Sequence, residues 1–88
     1  MNQKTKIMNW SKKNNQLEKS YVMDDFKQAI QFVNKVADLA EQKEHHPSIH
    51  IHSYKNVDIR LTTHDQGNKV TEIDQEMSRE IDEIKKQM

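Results

Sequence analysis

Glu44-His45-His46-Pro47 is followed at once by Ser48 and then by Ile49-His50-Ile51-His52. Apolar residues recur at helical spacing before this stretch and alternate after it. The proline marks the change, because the residue before a proline is pushed towards extended backbone. The two histidines therefore lie where a helix gives way to a strand. Ile49 and Ile51 face one side of that strand; His50, His52 and Tyr54 face the other.

Working backwards, Phe26, Ala29, Ile30, Val33, Val36, Ala37 and Ala40 predict a helix over about 25–43, widened by Phe32 and Leu39. Asp24 or Asp25 can cap it by accepting from free N–H groups. Phe26 and Phe32 read as core, as does Trp10, which also has the option of bordering a cleft. Before the helix, Leu17, Lys19, Tyr21 and Met23 alternate with Glu18, Ser20 and Val22. That predicts a strand paired across a Lys13-Asn14-Asn15 turn with an earlier strand over about 6–12, since Asn tolerates left-handed angles.

Working forwards, Lys55-Asn56 predicts a tight turn. Val57, Ile59 and Leu61 line one face of the next strand, with Asp58, Arg60 and Thr62 opposite. His64 follows that strand, and residues 65–69 form a loop. Thr71, with Asp74 three positions on, has the form of a capping box. Ile73, Met77, Ile81, Ile84 and Met88 then make the narrow apolar stripe of a last helix. The expected fold is α+β: a four-stranded antiparallel sheet with helices packed on one face, in the order β-β-α-β-β-α. Residues 1–88 are expected to form a single domain.

Leu, Ile, Val and Phe together make up about a fifth of the 88 residues, close to the level at which disorder competes. The charges balance, however, and there is one Pro and one Gly, so the periodic apolar pattern argues for folding. So small a core gains little surplus stability, and without cysteine no disulfide supports it. A homodimer or homotetramer is the expected remedy. Zero net charge argues against nucleic acid, which needs a basic footprint. The absence of an apolar leader or spanning segment makes cytoplasmic, membrane-free localisation the expectation.

All five histidines lie between Glu41 and Asp74, and there is no cysteine or glycine-rich phosphate loop. Any chemistry here falls to imidazoles. A histidine pair at a helix end also has plainer uses, satisfying free carbonyls or complementing the helix dipole. Asp74 has its capping role, and Glu41 can be a solvated helix residue. Five histidines could also assemble a zinc site, although only His50 and His52 point the same way.

The segments DDF..A..FV..VA..AE...HHP, IHIH.Y..V.I.LTTHD and T..D, taken at their spacings, resemble the pterin-4a-carbinolamine dehydratase (dimerisation cofactor) family over roughly residues 8–84. Many members carry a helix before the first strand, for which this chain has too few residues. Ser53 looks like one extra residue, placed as a bulge. Gly67-Asn68-Lys69-Val70 stands where many members have two glycines and a leucine.

The resemblance implies dehydration of a 4a-hydroxytetrahydropterin to quinonoid dihydropterin, in tetrahydrobiopterin recycling, with the pterin as substrate and neither metal nor redox cofactor required. It implies His45 and His64 as the general acid/base pair, and His46 as the residue that holds substrate and stabilises the departing oxygen. Glu41 and Asp74 would orient imidazoles, and Pro47 would set the direction of the turn. Backbone near Ser48, Thr63 and His64 would bind pterin edges. Some relatives instead pair with a transcription factor's dimerisation segment. The alternative is thus a non-catalytic binding module acting through the C-terminal helix, with Ile73, Met77, Ile81, Ile84 and Met88 as its surface.

Overall fold

The computed structural model describes residues 10–88. The described elements are β1 (Ser11–Lys13), β2 (Gln16–Val22), α1 (Phe26–Lys43), β3 (Ser48–His52), β4 (Asn56–Leu61) and α2 (Glu72–Lys86), with a short 3-10 turn at His64–Gln66. The strands form one antiparallel sheet in the order β1-β2-β4-β3. Fold class and element order agree with the sequence reading. The part of the first expected strand before Trp10 lies outside the described residues.

The sheet buries Leu17, Tyr21, Met23, Val57, Ile59 and Leu61 against Ala29, Phe32, Val36 and Ala40 of α1 and Met77 and Ile81 of α2. Alternation puts polar side chains on the open face. There Arg60 meets Glu18, and Ser20 donates to Asp58 at 2.7 Å. Asn14 and Asn15, both left-handed, make the two-residue turn of the first hairpin.

Several local expectations change. Phe26 is 51% exposed, so it is no core residue: it opens α1 on the solvent side while Phe32 packs beneath. Trp10 does not border the histidines; its indole N–H reaches Asp82, which also receives Lys19 and the Tyr21 hydroxyl. Burial pushes the Tyr21 phenol well above its ordinary range, and the Asp82 carboxylate adds to the effect. The second hairpin turns at Ser53 and Tyr54, both left-handed, with Asn56 already in β4. Pairing runs unbroken to His52↔Asn56, so Ser53 enlarges the turn and makes no bulge.

The stripe on α2 is mostly spent on the chain's own core. Met77 and Ile81 are 0% exposed, and Ile73 and Ile84 are half-buried. Met88, at the end of the stripe, is 37% exposed, so only part of the surface expected to receive a protein partner lies open.

Candidate functional site

The end of α1 sets the site's geometry. Glu44 caps the helix in the left-handed region, with φ 53°. Its N–H turns back to Glu41 and the His45 N–H to Ala40. A non-glycine residue in that region is uncommon and costs energy. The turn it makes sends neighbouring imidazoles in different directions. His45 points inward to α2, and His46 lies outside against Glu41.

Asp74 is the fixed point. Its side chain is 0% exposed, three residues into α2. One carboxylate oxygen accepts from His45 Nε2 at 2.5 Å. The other accepts from the Thr63 hydroxyl at 2.7 Å and the Thr71 N–H at 2.9 Å. The Thr63 and Thr71 hydroxyls are themselves 2.7 Å apart. Asp74 thus closes the capping box at the start of α2 and holds an imidazole with the same carboxyl group. Because the carboxylate accepts, His45 Nε2 carries the proton and Nδ1 is left for a ligand.

His46 Nε2 meets Glu41 at 2.7 Å, with both side chains more than half exposed. His64 stands on the 3-10 turn just beyond β4, and its Nδ1 meets the Asn68 side-chain oxygen at 2.8 Å. Glu44, His45, His46, Thr63, His64 and Asp65 line one open cleft of about 160 Å³. His64 also borders a second hollow of about 290 Å³ with Asn14, Gln16, Thr62 and Asn68. Larger grooves of about 380 and 420 Å³ lie along α1/α2 and β2/α2, but no histidine lines them. Volume alone therefore does not choose the site; convergent imidazoles do.

The structure brings together His45, His46, His64 and Thr63 around the cleft, with Asp74 behind His45 and Glu41 beside His46. Pro47 is half-buried and Ser48 begins β3, and neither lines the cleft. Asn68 was missed as His64's partner. The available signal was its place one residue after Gly67, in a loop short enough to return to His64. His50 and His52 stack on the open face beside Asp58, with His52 Nε2 at 3.1 Å from it. The Ser20 hydroxyl, together with these histidines, holds the Asp58 carboxyl below its ordinary range. Among the described residues, no group of three or more His, Cys, Asp or Glu is arranged to hold a metal ion. No helix among them is long and apolar enough to cross a membrane.

Comparison with known proteins gives this geometry a context. Residues 1–84 match the family described as pterin 4 alpha carbinolamine dehydratase. A relative from Sulfurisphaera tokodaii, provisionally named a pterin-4-alpha-carbinolamine dehydratase, is 43% identical, over 90% of this chain and 83% of its own. One from Thermomicrobium roseum with the same provisional name is 41% identical, over 89% and 82%. A crystal structure titled transcriptional coactivator/pterin dehydratase, from Brucella melitensis, superposes with a TM-score of 0.79 at 35% identity, covering 86% of this chain and 81% of that one. A pterin dehydratase-like protein described as a RuBisCO assembly factor shares the fold, with a TM-score of 0.68 at 21% identity over 85% and 84% of the two chains. This chain therefore belongs to the pterin 4 alpha carbinolamine dehydratase family.

Proposed function

We propose that the protein dehydrates a 4a-hydroxytetrahydropterin to the quinonoid dihydropterin, as a step in recycling a reduced pterin. The observation that carries this reading is the meeting of three imidazoles, from the end of α1 and the turn after β4, on one open cleft. The reaction breaks the bond between the 4a carbon and its hydroxyl and removes a proton from the neighbouring ring nitrogen. The net loss is one water. Hydroxide leaves poorly, so one group must protonate it while another accepts the nitrogen proton.

Imidazole suits both tasks, because its ordinary pKa of about 6.5 keeps both forms accessible near neutrality. In this reading His45 and His64 exchange those two protons, and His46 holds the substrate and the departing oxygen. Asp74 and Glu41 position His45 and His46. Thr63 contributes through Asp74 and through backbone at the cleft wall. Pro47 and Ser48 act only by directing the chain from α1 into β3. The chemistry asks for no metal or redox group.

A cleft of about 160 Å³ is small beside the ~300–1,000 Å³ of enclosed ligand pockets. A bicyclic ring would lie across it with one side in solvent. Self-association into a dimer or tetramer belongs to the same reading, supported by the apolar side chains that α1 leaves on its outer side.

The test is a stopped-flow assay of carbinolamine dehydration. His45→Ala and His64→Ala are each expected to lower turnover at least about tenfold, part of the roughly 100- to 10,000-fold that a positioned acid or base supplies. Circular dichroism should show both variants folded. Wild-type rates in both would end the proposal. The binding-module reading has less support, because Met77 and Ile81 of its expected surface are buried.

A further inference from the structure

The loop after β4 is built to return one side chain onto His64. Thr63 and Lys69 pair across its neck: the Thr63 N–H donates to the Lys69 carbonyl at 2.8 Å and the Lys69 N–H to the Thr63 carbonyl at 3.3 Å. Within the neck, the Gln66 N–H reaches the Thr63 carbonyl and the Gly67 N–H the His64 carbonyl, which makes the 3-10 turn. Gly67 and Asn68 are both left-handed, with φ 74° and 59°. Two successive left-handed residues reverse the chain. They set the Asn68 side-chain oxygen 2.8 Å from His64 Nδ1. Asn tolerates this backbone better than most residues and still brings a hydrogen-bonding side chain, which glycine cannot.

We infer that Asn68 is a positioning residue that holds His64 as its Nδ1–H tautomer, so that Nε2 presents a lone pair to the substrate cleft. An amide oxygen only accepts, so the ring nitrogen facing it must carry the proton. His45 is fixed differently. Its Nε2 proton faces a buried carboxylate, which can compensate a full positive charge on the ring. Asn68 offers His64 only a dipole. In the proposed dehydration that difference divides the work: His45, when its Nδ1 is protonated as well, gives that proton to the leaving hydroxyl, and neutral His64 takes one from the ring nitrogen. This assignment of direction rests on the proposed dehydration; the tautomer assignment stands without it.

The test uses the full chain with Asn68→Gly and Asn68→Asp. Glycine accepts the left-handed backbone, and aspartate keeps both an acceptor and some tolerance of that backbone. Long-range 1H–15N NMR above the imidazole titration should show the wild-type His64 as the Nδ1–H form. Asn68→Gly should shift it to a mixture dominated by Nε2–H, the form usually favoured by free imidazole side chains, and Asn68→Asp should restore Nδ1–H. Identical tautomer populations in wild type and Asn68→Gly would overturn the inference, whatever the activity.

In the dehydration assay, Asn68→Gly should lower kcat at least about threefold, a fraction of the roughly 100-fold or more expected of a positioned base. Asn68→Asp should recover much of that loss. Its added negative charge should also move the acid limb of the pH–rate profile to higher pH, because a base that holds its proton more tightly becomes active later. An acid limb that stays in place, or moves down, would overturn His64 as the base. If no protein turns over, wild type included, the failure is that of the dehydration reading, and the NMR result still decides the role of Asn68.

Discussion

At the scale of single residues, Asp74 does the most with the fewest atoms. It is buried, it closes the first turn of α2, and it receives His45, Thr63 and the Thr71 N–H. Asp74→Asn keeps the shape but replaces one accepting oxygen with an NH2 group. That group must then face either His45 Nε2, which can accept it only by taking the other tautomer, or the Thr63 hydroxyl and Thr71 N–H, where it opposes a buried backbone donor. The expected cost is about 1–3 kcal/mol in urea unfolding, together with a fall in dehydration turnover. Stability equal to wild type would show that the carboxylate's partners are replaceable by water. The two roles weighed for this residue from sequence, helix cap and imidazole partner, turn out to be compatible. A side chain at the third helical position has one oxygen for the cap and one for a neighbour.

At the scale of elements, the exit of α1 shows where sequence reasoning stops. The helix and its stop before Pro47 were legible from periodicity and from the steric demand of proline. The left-handed Glu44 was not, because glycine is the usual residue there and glutamate carries no such signal. Glu44→Gly removes a Cβ penalty of roughly 1–2 kcal/mol, less what glycine's freedom adds to the unfolded chain. The net gain expected is about 0.5–1 kcal/mol, or about 3–6 °C in Tm for a chain this size. A lower Tm would mean that contacts of the Glu44 side chain, not its backbone, hold the turn. The second hairpin carries the same lesson. Its strands followed from alternation, but the turn fell two residues early, because Ser53 and Tyr54 adopt left-handed angles that neither residue advertises.

At the scale of the whole molecule, the core is small and both helices cover the same face of the sheet. Met77 and Ile81 complete that core, which leaves only the rest of the α2 stripe, Met88 most of all, open to a partner. On α1, Phe26 and Ile30 lie one turn apart and are 51% and 38% exposed, an apolar face left uncovered. If self-association covers it, sedimentation velocity at micromolar concentration should find a dimer or larger species. Phe26→Lys combined with Ile30→Lys should lower the sedimentation coefficient towards the monomer without loss of helical circular dichroism. A wild-type protein that sediments as a monomer would remove the proposed oligomer.

The order of elements, the faces of the strands, the helix stop and the gathering of histidines into one window were determined by sequence alone. Periodicity and proline geometry act over a few residues and leave their mark in the text of the chain. Which histidines share a cleft, that Asp74 backs His45, and that Asn68 rather than a distant carboxylate backs His64 were decided by tertiary structure. Those partnerships depend on where β4 ends relative to α1 and on two left-handed residues in one loop. A hydrogen bond between residues 29 apart, such as that of His45 with Asp74, leaves no local signature in sequence.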